Sequence, residues 1–289
     1  MLPNFFIVGA PKAGTTSLYH YLKKHPQVYM SPIKEPNFFS FEETVKQNLY
    51  YKEKGIENYE EYQKLFSGVN NEKAVGEASV SYLFYSMVPR LIKETVGDAK
   101  IIILLRNPVD RAFSHYYMDC KFRYIKRPFE DVLYQRTNGA ISKLYYQQYI
   151  ELGLYYNQVK RYIDIFGRSE VKIFLYEEIE LDIKKVITEV FDFLGVDKTF
   201  TPDLNKKYNS YLVPRNSIVS TLYSQRGLRN VARRILPKRK IERIKKIFFS
   251  DKKNNEVKIE TISYMRELYK PDIQKLESLL DLNLNQWYE

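Results

Sequence analysis

A single cysteine, Cys120, rules out an intrachain disulfide and any Cys-x-x-Cys metal pair, and it fits a reducing compartment. No apolar run approaches the ~20 residues that span a bilayer. The first patterned segment begins at Phe5, so no signal peptide is expected. The expectation is therefore a cytoplasmic chain. Internal repeats and low-complexity linkers are also missing. Acidic residues are nearly absent from one stretch: 226–246 holds ten Lys/Arg against Glu242, a net +9 of the chain's +11. With 44% apolar residues in a length of 289, one domain with a sizeable core is expected. We divide the chain into a domain over 1–215 and a basic helical extension, 216–289, packed on it.

What is present begins with Phe5-Phe6-Ile7-Val8, a wholly apolar run suited to a strand buried on both faces. Gly9 and Gly14 bracket a tight loop, and Thr15, Thr16 and Ser17 open a helix with Leu18, Tyr21 and Leu22 on its inner face. A strand, a glycine-bounded loop and a helix start form a phosphate cradle, because helix-start amides and the helix dipole both favour an anion. The hydroxyls add donors, and Lys12 adds a full charge. The spacing matches the ATP-binding pattern G-x-x-x-x-G-K-[ST] except at one position: Thr15 stands where its lysine belongs. The cation is therefore aimed differently.

Lys100-Ile101-Ile102-Ile103-Leu104-Leu105 is a second buried strand, expected to be central and parallel. It ends in Arg106-Asn107-Pro108, with Asn107 as cap and Pro108 in the first turn of a helix carrying Ser114. Arg106 and Ser114 make a second anion corner. A magnesium-dependent ATPase would instead want an aspartate at the strand end. Between the two corners, Ser31-Pro32-Ile33-Lys34-Glu35-Pro36-Asn37-Phe38-Phe39 cannot be regular helix, and its aromatics should anchor it. That leaves Glu35 on a stiff segment near the ligand-binding edge of the sheet. A loop carboxylate paired with a neighbour is an equally open reading at this point.

Elsewhere the pattern predicts strands near 28–30, 73–77 and 170–176. It predicts helices over 58–66, over 82–95 with Pro89 as a break or restart, and over 182–195. Residues 128–166 read as tyrosine-rich helices, in which tyrosine serves core packing first and sugar stacking second. From Thr199 the pattern loosens, and Lys206, Lys207, Tyr208 and Arg215 fall in this stretch.

Two anion corners on strand-to-helix junctions imply one ligand with two distinct phosphate groups. The stretch Pro11-Lys12-Ala13-Gly14-Thr15-Thr16-Ser17-Leu18 resembles the 5′-phosphosulfate loop of sulfotransferases. Arg106-Asn107-Pro108-Val109-Asp110-Arg111-Ala112-Phe113-Ser114 resembles their 3′-phosphate motif. The resemblance continues through Gly76-Glu77-Ala78-Ser79, Tyr176-Glu177-Glu178 and Phe193-Leu194-Gly195, covering roughly 4–215. It implies a P-loop NTPase-like α/β fold with a central parallel sheet flanked by helices, and a helical C-terminal extension. It also implies 3′-phosphoadenosine 5′-phosphosulfate as donor, with no metal. Lys12, Ala13, Gly14, Thr15, Thr16, Ser17, Arg106, Ser114 and Arg215 form the expected donor-binding set.

Within the family the pattern is most similar to the heparan-sulfate group, in which a glutamate before an aromatic pair acts as base. On that likeness Glu35 becomes the catalytic base, with Lys12 as its catalytic partner; His20 and His115 are the competing bases. Three departures weaken a heparan-like acceptor. Asn37 stands where a histidine is usual, Ala78 stands where a glycan-binding lysine is usual, and a disulfide-closed C-terminal loop is impossible. The acceptor is expected to be a carbohydrate or glycolipid. The 226–246 stretch is expected to touch an anionic membrane at its inner face, and nucleic acid is not an expected partner. A small-molecule kinase, or a non-enzymatic basic protein binding membrane or nucleic acid, are the alternatives.

Overall fold

The computed structural model describes residues 1–51, 55–204, 213–214, 249–250 and 258–289. Its centre is a sheet of five parallel strands: β1 (Phe5–Gly9), β2 (Val28–Met30), β3 (Ala74–Ala78), β4 (Lys100–Leu105) and β5 (Val171–Leu175). They run in the order β2-β3-β1-β4-β5. Every residue of β1 and β3 is buried, as is all of β4 after Lys100. Continuous apolar strands suit a parallel sheet covered on both faces. The chain leaves β1 toward β3 and β2, and leaves β4 toward β5. The order therefore reverses between neighbouring β1 and β4, and their C-terminal ends open a crevice, the usual ligand position in such sheets.

Helices cover the faces. The first are α1 (Thr15–Leu22), α2 (Phe41–Lys46), α3 (Tyr59–Lys64), α4 (Val88–Val96) and α5 (Pro108–Phe122). Then follow α6 (Phe129–Leu133), α7 (Ala140–Tyr149), α8 (Tyr155–Phe166), α9 (Tyr176–Leu194) and α10 (Ile259–Leu280). Asn58 caps α3 as the sequence predicts, its Oδ1 accepting from the N–H of Glu60 at 2.7 Å. Pro89 lies in the first turn of α4. It marks a start, and 82–84 are turn residues where the pattern predicts helix. Helix α9 begins at Tyr176, six residues before the predicted start. Asp182 is the one non-helical residue inside it, and its Oδ1 accepts from the N–H of Lys185 at 3.0 Å. The predicted helix is thus the second of two segments, with Asp182 as its cap.

Several of the tyrosines are core. Tyr155, Tyr162 and Tyr269 are fully buried, and each hydroxyl finds a carbonyl: Arg106 O at 2.9 Å, Tyr82 O at 2.9 Å and Ile150 O at 3.0 Å. Burying a hydroxyl is tolerated only when it is bonded in this way. Helix α10 buries Met265, Tyr269, Ile273 and Leu276. Its Asp272 accepts from the N–H of Tyr156 at 3.1 Å, tying the C-terminal segment to the start of α8. The proposed division at 215 lies outside the described residues, as does the basic 226–246 stretch.

Candidate active site

The crevice beyond β1 and β4 opens into a cleft of about 940 Å³. Lys12, Gly14, Thr15, Thr16, Ser17, Glu35, Arg106 and Ser114 all line it. Of the predicted set, Ala13 sits behind the wall, buried, its N–H donating to Ala10 O at 3.3 Å. Arg215 lies outside the described residues.

Gly14 precedes α1 with φ 93°. A side chain there would adopt a left-handed conformation and press on Ile179 and Tyr176 at 3.4 Å. The N–H of Ser17 turns back to Gly14 O at 3.0 Å, while the amides of Thr15 and Thr16 ahead of it have no intrahelical acceptor and face an incoming anion. Lys12 lies in the turn before Gly14, its Nζ donating to the Met118 sulfur at 3.4 Å. Burial pushes its pKa down to about 8; Asp119 and Glu35 pull it up, while Arg106 and Arg111 push it lower. A lysine held so close to neutrality gains most from an incoming anion.

Arg106 extends from the end of β4, its guanidinium 4.4 Å from the centre of the Tyr176 ring. Its Nη1 donates to Lys12 O at 3.3 Å, while its buried Nε has no partner. The Asn107 side chain caps α5 through the N–H of Val109 at 3.0 Å, and its own N–H donates to Glu177 at 3.1 Å. The strand-to-helix corner is thereby pinned to α9.

Glu35 lines the same cleft, its side chain 40% exposed and paired with Lys34. The neighbour-paired carboxylate and the cleft carboxylate are therefore the same residue. Its segment is stitched to the chain after β3. The N–H of Glu35 donates to Ala78 O at 2.8 Å, and that of Asn37 to Ser79 Oγ at 3.1 Å.

A polar stripe on α5 escaped the sequence reading. Arg111, His115 and Asp119 recur every four residues, so they share one helix face, and all three are buried. That spacing was the available signal. Arg111 donates to Gln148 O at 3.1 Å and Tyr149 O at 2.5 Å. Asp119 accepts from Tyr50 at 2.7 Å, Tyr149 at 2.8 Å and Tyr51 at 2.9 Å. Burial pushes its carboxyl up to about 6 against those hydrogen bonds. His115 lies between Arg111 Nη1 at 3.3 Å and Tyr51 Oη at 2.7 Å. Burial, with Arg111 and Lys12, holds it well below the usual range, so it is neutral. Nδ1 accepts from Arg111, which leaves the proton on Nε2, donated to Tyr51. His20, the other candidate base, packs edge-on to Tyr19 at 5.1 Å and is not among the residues lining the cleft.

The fold is the P-loop NTPase-like α/β class expected from the motifs. The family model described as the sulfotransferase domain matches residues 2–277, and the chain belongs to that family. Among solved structures, a sulfotransferase from Alicyclobacillus acidocaldarius is 33% identical with a TM-score of 0.75, each chain covered in full. Among curated proteins, the membrane-associated sulfotransferase kil1 of Dictyostelium discoideum is 39% identical over 127 residues, 44% of this chain and 24% of that protein. The bifunctional heparan sulfate N-deacetylase/N-sulfotransferase 1 of Mus musculus is 30% identical over 204 residues, 68% of this chain and 22% of its own length. Carbohydrate sulfotransferase 15 of Mus musculus is 25% identical over 254 residues, 68% of this chain and 44% of its own. The chain spans less than half the length of these curated relatives. Among the described residues no helix is long and apolar enough to cross a membrane.

Proposed function

We propose that this sulfotransferase takes its sulfuryl group from 3′-phosphoadenosine 5′-phosphosulfate and delivers it to a hydroxyl or amine of a carbohydrate or glycolipid. The observation that carries the reading is the union of two cationic corners, Lys12 and Arg106, at the β1/β4 switch point with Glu35 in the same cleft. The unpartnered Nε of Arg106 fits a second anionic group on the donor. The heparan sulfate and carbohydrate sulfotransferases among the relatives support a sugar acceptor.

The donor supplies an activated sulfuryl group on a phosphate leaving group. Lys12 and the α1 amides hold that phosphate and stabilise the charge that develops on it. Arg106 and Ser114 hold the 3′-phosphate. Glu35 accepts the acceptor proton, and an ordinary carboxylate suffices when proton loss accompanies transfer. No covalent enzyme intermediate and no metal are needed. In this reading His115, neutral and engaged at both nitrogens, supports Tyr51 and takes no part in proton transfer. We assign the chain to the cytoplasm, with residues 226–246 resting on an anionic membrane surface; a membrane-associated relative supports this.

The test is transfer of labelled sulfur from the donor, in the presence of a chelator, to separated glycan, glycolipid and phenol fractions. Label in the glycan or glycolipid fraction is expected. Label confined to phenols overturns the acceptor, and magnesium-dependent turnover of ATP without sulfuryl transfer overturns the whole reading.

A further inference from the structure

Glu77 takes part in none of the roles described above. It is fully buried near the end of β3. A carboxylate taken out of water persists only when hydrogen-bonded. Its donors are hydroxyls, Tyr62 Oη at 3.0 Å to Oε1 and Ser79 Oγ at 3.3 Å to Oε2, and the neighbouring Tyr82 hydroxyl also favours its charged form.

Two of these hydroxyls also serve the Glu35 segment. Ser79 Oγ accepts from the N–H of Asn37 at 3.1 Å, and Tyr82 Oη accepts from the N–H of Phe39 at 3.3 Å. A hydroxyl has one proton; when that proton goes to a carboxylate, only lone pairs face the amide. The charge on Glu77 therefore holds both hydroxyls with their lone pairs toward the amides. The segment depends on such ties, because Glu35 and Asn37 hold φ of 62° and 51°, a region that non-glycine residues enter at a cost.

We propose that Glu77 is a positioning residue: through the Ser79 and Tyr82 hydroxyls its carboxylate orients the amides of Asn37 and Phe39 and so holds Glu35 at the cleft. The inference deepens, and rests on, the reading of Glu35 as base. It carries a pH dependence. Burial pushes the Glu77 carboxyl up to about 7, against the lowering effect of hydrogen bonds from Tyr82, Tyr62 and Ser79. The groups facing it are Tyr62 from α3, Ser79 and Tyr82 from the turns after β3, and Tyr162 from α8. Above that value the carboxylate is charged and both ties are in place. As pH falls through it, a protonated Glu77 must donate to one of its hydroxyls. Where that hydroxyl is Ser79 or Tyr82, its own proton is released from the carboxylate and no longer fixes its lone pairs toward the loop amide, so the tie weakens.

Amide hydrogen exchange over residues 34–41, corrected for intrinsic rates, tests this without any acceptor. In the unaltered protein, protection should fall roughly tenfold between about pH 8 and about pH 6. Glu77→Gln should show reduced protection that does not vary with pH, with affinity for 3′-phosphoadenosine 5′-phosphate kept within about twofold. Ser79→Ala and Tyr82→Phe leave the carboxylate in place and should expose Asn37 and Phe39 respectively; they serve if Glu77→Gln does not fold. Protection that is pH-independent in the unaltered protein, a Glu77→Gln profile that still varies with pH, or unchanged protection in both relay variants overturns the proposal. Failure to detect sulfuryl transfer to any glycan bears on the proposed function and leaves this test intact.

Discussion

Arg106 Nη1 donates to the carbonyl oxygen of Lys12 at 3.3 Å, so the side chain of one anion corner holds the backbone of the other. The two loops are therefore tied together before any ligand arrives. Preorganisation of this kind removes the cost of assembling the site when charge develops.

Removing the Arg106 side chain should separate the two phosphate groups of the donor. Arg106→Ala is expected to weaken 3′-phosphoadenosine 5′-phosphate by about 1.5–3 kcal/mol, the worth of hydrogen bonds to a charged group. Adenosine 5′-phosphosulfate, which lacks the 3′ group, should lose much less. Calorimetric titration of both ligands checks this, and equal losses would refute the 3′-phosphate assignment.

Chemistry and binding separate at Glu35 and Lys12. Glu35→Gln should cut turnover by roughly 10²–10⁴ and leave donor affinity within about twofold, as expected for a general base. Lys12→Ala should damage both. Near-normal turnover in Glu35→Gln would make the carboxylate structural and return attention to the histidines.

Donor affinity should weaken with rising pH. The charged form of Lys12 binds the anion, and its pKa in the free protein is held at about 8. Below that value Lys12 is already charged and affinity is steady. Above it, binding must take up a proton, and Kd should rise by up to about tenfold per pH unit. In Lys12→Ala this limb should vanish, which titrations in buffers of differing ionisation enthalpy would register.

Gly76 lies beneath the Phe5 ring where β3 and β1 pair, and a Cβ added there would land on that ring. Gly76→Ala should destabilise the fold by about 1–3 kcal/mol through overpacking. Urea denaturation measures the loss, and an unchanged midpoint would contradict the close approach.

The basic stretch offers a separate test. If 226–246 holds the enzyme on an anionic surface, co-sedimentation with phosphatidylserine vesicles should be strong at low salt and collapse as salt is raised. Each basic residue near the surface contributes about 1 kcal/mol. Deleting the stretch should abolish binding, and indifference to its loss would end the idea.

The two strand-to-helix corners that line the cleft were legible in the sequence because each part is local. Gly9-x4-Gly14 with Lys12, and Arg106-Asn107-Pro108 at a strand end, specify a strand, a turn and a helix start within a few residues. Backbone sterics and capping act at that range. The Pro32–Pro36 segment likewise announced a stiff loop, and two aromatics announced its anchor. What pairs across the sheet was not legible. The order β2-β3-β1-β4-β5 brings Arg106 to Lys12, 94 positions away, and no spacing rule encodes that contact. The same holds for Glu77, whose pattern is that of any strand residue. Only packing places Tyr62 and Tyr82 around it and seals it from water. The sequence determined which groups could bind an anion; the tertiary structure decided which are buried together. Burial raises the energetic weight of every charge and hydrogen bond, and that is why Lys12, Glu77 and Asp119 depart from their ordinary chemistry.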